Sequence, residues 1–156
     1  MLTLVLPPDI VDRITAALRA AARREVGGIL MAEHVGPNTF LVRDITVHRR
    51  GAIASFVRRI GEAIPGLRAF FKATGHDYRR FNYLGEWHSH PLFLPLPSQI
   101  DDQSMYDLVT DPAVGAQFAT LLIVKLGQGD QLVATAHTYL ADGHKSRSVI
   151  RLEGGA

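Results

Sequence analysis

The stretch Gly85-Glu86-Trp87-His88-Ser89-His90-Pro91, followed shortly by Ser98-Gln99-Ile100-Asp101, constrains this 156-residue chain more than any other. Side chains along an extended segment alternate between its two faces, so His88 and His90 project from the same face. Two imidazoles then stand side by side. The intervening residues include Pro91, Pro95 and Pro97, which exclude regular helix. Ser98 reads as the N-cap of the helix that follows, with Asp101 three residues on as its reciprocal partner in a variant of the capping box.

Taken alone, each half has a plain structural reading: His-x-His as an exposed strand feature, Ser-x-x-Asp as a cap. Together they bring two imidazoles and a carboxylate to the geometry a divalent metal needs, with a fourth position open for water. The expectation is a hydrolytic zinc site with His88, His90 and Asp101 as ligands. Glu86 shares the parity of the two histidines but is kept out of the ligand set, because the fourth position must admit water. Trp87 alternates away from them and is expected in the core.

Cysteine is absent, which removes disulfides and thiolate sites, so any metal must be held by imidazole and carboxylate. A cytoplasmic location follows. The chain is long enough for one self-sufficient domain over residues 1–156. Its 47% hydrophobic and 21% charged residues are ordinary for a globular protein and suggest neither disorder nor a membrane span. Arginine pairs at Arg49-Arg50, Arg58-Arg59 and Arg79-Arg80 stand in a formal net charge of only +2. So small an excess reads as solvated surface, and nucleic acid is not an expected partner.

Met1–Leu6 predicts a first strand closed by Pro7-Pro8, and Ile10, Val11, Ile14, Ala17, Leu18 and Ala21 have helical spacing. That helix is expected to end near Glu25, with Gly27-Gly28 breaking the pattern and a strand beginning at Ile29. Glu25 therefore stands at a helix-to-strand junction, where a side chain can be aimed at a site. A hairpin about Gly36-Pro37-Asn38 leads into Phe40–Val47. Beyond it are expected a strand at Ala52–Val57, a helix over Ile64–Ala73 interrupted near its start by Pro65-Gly66, and the ligand-bearing strand Phe81–His88. A helix from Ser98 to Leu108 follows, then the apolar strand Phe118–Val124, a neighbour over Gln131–Leu140, and an edge strand within His144–Leu152. Mixed helices and strands in this order imply an α/β or α+β fold. Leu92, Phe93 and Leu94, in the proline-rich loop beside the metal, are placed to contact a peptide or to pack on their own domain. The other five histidines have no ligand spacing.

His88-x-His90-x7-Ser98-x-x-Asp101, with Glu25-Val26-Gly27-Gly28 upstream, resembles the signature of the JAB/MPN (JAMM) metalloprotease family, in its bacterial branch. The resemblance covers essentially the whole chain and fills all five motif positions. It implies a single domain with a curved mixed β-sheet flanked by helices, related to the cytidine-deaminase fold. It also implies zinc on His88, His90 and Asp101, Glu25 as general base, and Ser98 stabilising the tetrahedral intermediate. The reaction it implies is hydrolysis of the amide after the C-terminal glycine of a ubiquitin-like protein, reached through an extended Gly-Gly tail. The setting would be a ubiquitin-like conjugation system in antiphage defence, with activating and conjugating enzymes as further partners. The alternatives are trimming of a sulfur-carrier tail, a non-catalytic MPN scaffold and, weakly, a DNA-repair relative. The chain's own Gly154-Gly155 reads as a chance likeness to such a tail.

Overall fold

The computed structural model describes residues 1–49 and 56–153, apart from the side chains of 56–60 and 62. The elements run β1 (Thr3–Leu6), α1 (Pro8–Ala21), β2 (Val26–Gly36), β3 (Thr39–Ile45), β4 (His48–Arg49), α2 (Phe56–Ala73), β5 (Phe81–Ser89), α3 (Gln99–Thr110), β6 (Phe118–Leu126), β7 (Leu132–Leu140) and β8 (Lys145–Leu152). All the strands belong to one mixed sheet in the order β3-β1-β8-β7-β6-β5-β2-β4. Because β3 also pairs with β2, the sheet curls until its first strand meets its last but one. The expected curved mixed sheet flanked by helices is what forms.

Parity along the central strands sorts the core into faces. On β2 and β6, Leu30, Ala32, Leu122 and Val124 turn toward Ile10, Ile14 and Leu18 of α1. Their neighbours turn the other way: Ile29 and Met31 pack with Ala63 and Phe70 of α2, and Leu121 and Ile123 with Met105 and Leu108 of α3. This is why Phe118–Leu126 is a continuous apolar run rather than an alternating one. Trp87 is fully buried among the α1-side residues.

Three expectations about boundaries are corrected. β2 begins at Val26 rather than Ile29, so Gly27-Gly28 lie inside the strand instead of separating it from the helix. A Cβ on Gly28 would fall 1.9 Å from the Thr46 carbonyl oxygen, and one on Gly27 would fall 2.4 Å from that of Trp87. These glycines permit close backbone approach. α2 starts at Phe56 with Pro65 inside it, and a Cβ on Gly66 would press to 2.8 Å on the Thr46 methyl; the Pro-Gly pair lets the helix sit on the sheet. Phe56 and Val57 are therefore helical, while 52–55 of the expected strand, like Gly154-Gly155, lie outside the described residues. β8 is no edge strand: it runs antiparallel to β7 and parallel to β1, a neighbour too distant in sequence to be anticipated.

Gly28→Ala is expected to cost about 3 kcal/mol or more, at the upper end for overpacking, since the atom met is backbone rather than a movable side chain. Chemical denaturation of the two proteins measures it.

Glu33, buried on β2, receives hydrogen bonds from Arg43 Nε (2.8 Å) and Arg80 Nε (2.7 Å). Burial pushes its carboxyl up, but the two guanidinium groups outweigh that and hold it below the ordinary glutamate value. A folded-state pKa depressed in this way contributes stability above the unfolded value of ~4.3 and loses it as pH falls further. Glu33→Gln is expected to lose about 1–2 kcal/mol at neutral pH, the arginines remaining solvated. Its melting temperature should also depend less on pH below ~4 than that of the wild type.

Candidate metal centre

β5 lies between β2 and β6, and the register sets His88 across from Gly27 on one side and Ile123 on the other. Its side chain thus shares the α3 face, while Trp87 points through the sheet and donates from Nε1 to the Thr46 carbonyl at 2.9 Å. Past the strand's end the His90 amide still donates to the Val124 carbonyl, at 3.0 Å. The alternation therefore persists, and both imidazoles emerge together.

α3 brings the carboxylate. Ser98 Oγ accepts from the Asp101 amide at 3.1 Å, and Asp101 Oδ2 accepts from the Ser98 amide at 2.9 Å. The reciprocal box expected from the sequence thus forms, and it aims the carboxyl back toward β5. His88 Nε2 lies 3.2 Å from His90 Nε2 and 3.2 Å from Asp101 Oδ1, and His90 Nε2 lies 3.2 Å from Asp101 Oδ2. A tetrahedral ion with ligands at ~2.0–2.1 Å needs its ligand atoms ~3.3–3.4 Å apart. The three groups are thus spaced as a metal would hold them, and all three are buried.

The environment supports this role. His90 Nδ1 faces the Leu94 carbonyl at 3.1 Å. A carbonyl only accepts, so Nδ1 carries the proton and Nε2 presents its lone pair inward. Burial pushes the Asp101 carboxyl up, but the His88 imidazole and the Ser98 amide more than compensate and hold it well below the usual carboxylate range. It is the anionic ligand that a cation requires.

The remaining motif residues sit as follows. Ser98 caps through its oxygen lone pair, which leaves its hydroxyl proton free to donate elsewhere. Glu25 is exposed and immediately precedes β2. The Val26 amide donates to Ser89 Oγ at 3.0 Å, and carrying the Gly27–His88 register two residues on sets the Glu25 backbone across from His90. Gly27, across from His88, has no side chain; a Cβ there would fall 2.9 Å from the His88 Cβ. Glu86 is buried on β5, outside the ligand group. Among the described residues only His88, His90 and Asp101 cluster as a metal would need. Of the other histidines, His34 stacks on Phe40 and His144 pairs with Asp142. His137 is buried, and burial lowers its pKa and keeps it neutral. The Leu94 carbonyl escaped the sequence reading because a backbone group leaves no mark on residue identity.

The arrangement can hold a metal ion. No helix among the described residues is long and apolar enough to cross a membrane. A model of prokaryotic homologs of the JAB domain matches residues 7–138. No curated protein matches. Among solved structures, a protein from Desulfitobacterium hafniense superposes with a TM-score of 0.70 at 19% identity, over 97% of this chain and 94% of the other. A protein from Salinibacter ruber gives 0.54 at 22% identity, over 100% of this chain and 94% of the other. These likenesses bear on the fold, and with the family model spanning most of its length this chain belongs to the prokaryotic homologs of the JAB domain.

Proposed function

We propose that this chain is a zinc-dependent peptidase or isopeptidase that cuts the amide after the C-terminal glycine of a ubiquitin-like protein. The observation that carries it is the buried trio His88, His90 and Asp101, spaced at 3.2 Å. Two neutral imidazoles and one carboxylate suit zinc, which would supply Lewis acidity toward a carbonyl and acidify water. Glu25, just before the strand opposite the ligands, takes the proton of the attacking water and delivers it to the departing amine. The Ser98 hydroxyl donates to the oxyanion, a contribution of roughly 2–4 kcal/mol in comparable sites.

The substrate class follows from access. The ligands are recessed, so the scissile bond reaches them most easily on a chain without bulky side chains, as in an extended Gly-Gly tail. Beside the trio, Leu92, Phe93, Leu94 and Leu96 are exposed, an apolar ledge suited to the body of a folded partner. The setting we propose is the cytoplasm and a ubiquitin-like conjugation pathway of antiphage defence; maturation of a sulfur-carrier tail is the second reading.

Zinc-loaded protein incubated with ubiquitin-like fusions ending in Gly-Gly-peptide, and with the same tail on a lysine side chain, should cut after the second glycine. A chelator should abolish the cleavage. Cleavage that survives chelation would overturn the reading, and tight binding without turnover would favour a scaffold. A panel of sulfur-carrier and conjugation-type tails separates the two pathways.

A further inference from the structure

The loop from Pro91 to Pro97 departs from ordinary loop construction. Its side chains are not what hold it: Leu92, Phe93 and Leu94 are 64%, 66% and 73% exposed. Its backbone is tied instead. The Phe93 carbonyl accepts from Lys125 Nζ on β6 at 3.1 Å, the Leu94 carbonyl from the His90 ring at 3.1 Å, and the Pro95 carbonyl from Thr135 Oγ1 on β7. Three consecutive carbonyls thus meet three partners. Pro91, Pro95 and Pro97 restrict the backbone further.

Only one of these carbonyls touches the metal centre, that of Leu94; it also accepts from the Leu96 amide at 2.8 Å, a turn within the loop whose place against the sheet is set by the anchors either side. Lys125 is a long, half-buried side chain whose bond to the loop lies in solvent, a weak anchor, whereas Thr135 is 7% exposed and stiff at χ1. We propose that Thr135 is a positioning residue for the metal centre: by holding the Pro95 carbonyl it keeps the neighbouring Leu94 carbonyl on His90 Nδ1, and so fixes the tautomer and ring orientation of that ligand. This rests on His88, His90 and Asp101 binding a metal, and it adds a residue 34 positions beyond Asp101 in a strand the ligand motif does not reach. Thr135→Val keeps the shape but removes the hydroxyl, leaves the Pro95 carbonyl unpaired and frees the loop; Thr135→Ser restores the donor.

Zinc affinity is measured by competition with a chromophoric chelator, beside the imidazole nitrogen spectrum of the metal-free proteins. Thr135→Val is expected to bind zinc about tenfold more weakly, the low end for loss of an outer partner, and to lose the Nδ1-protonated signature of His90. Thr135→Ser should restore both. Thr135→Ala, which deletes the same hydroxyl without its branched shape, should match Thr135→Val and guards against a packing artefact. Unchanged affinity together with an unchanged His90 signal in Thr135→Val would overturn the inference. A wild type that takes no zinc would sink the metal reading instead, and the metal-free spectra would still decide whether Thr135 orients the ring.

Discussion

Replacing Asp101 by alanine is expected to abolish stoichiometric zinc binding and, separately, to loosen the start of α3. The two losses have different causes. The first removes the sole anionic ligand, leaving two neutral imidazoles to hold a dication. The second removes the acceptor for the Ser98 amide at 2.9 Å, half of a capping box, at a cost of about 1 kcal/mol. Asp101→Asn separates them: the amide oxygen can still accept from Ser98, so stability should stay near that of the wild type while zinc is still lost. Metal content by mass spectrometry, set beside thermal melts of both variants, reads each effect. An alanine variant that keeps one zinc per chain would remove Asp101 from the site.

Glu25→Gln should do the reverse, leaving zinc in place while hydrolysis falls on the order of 10²–10⁴-fold, the usual contribution of a general base. Glutamine keeps the size and polarity of the side chain but cannot accept the proton. Because Glu25 is exposed and precedes β2, stability should scarcely change. Single-turnover cleavage of a Gly-Gly-peptide fusion measures the effect. Full activity in Glu25→Gln would assign the base elsewhere.

What could be read from the residues in advance was the part with a short-range cause. The meeting of two imidazoles and a carboxylate was legible because His-x-His is extended by parity and Ser-x-x-Asp is capped by local hydrogen bonds, and both devices formed as expected. The amphipathic α1 and the doubly covered β6 were legible for the same reason. Failures came where distant chain decides. Gly27 and Gly28 read as a break between helix and strand, yet they lie within β2, where Thr46 and Trp87 press so closely on them that a side chain would not fit. β8 read as an edge because nothing local announces that β1, over 140 residues earlier, lies along its other side. The closure of β3 onto β2 and the grip of Thr135 on the Pro95 carbonyl belong to this class as well. For Glu25 the sequence supplied only a junction, and the structure adds that it is exposed just before β2, whose Gly27 pairs with His88.

The most direct test is anomalous scattering at the zinc edge from crystals of zinc-loaded protein. One peak per chain is predicted, within ~2.0–2.2 Å of His88 Nε2, His90 Nε2 and an Asp101 carboxylate oxygen, with the Glu25 carboxylate within hydrogen-bond reach of the remaining position. A peak bound elsewhere, or one at the trio with Glu25 turned away into solvent and no other carboxylate facing it, would contradict the account.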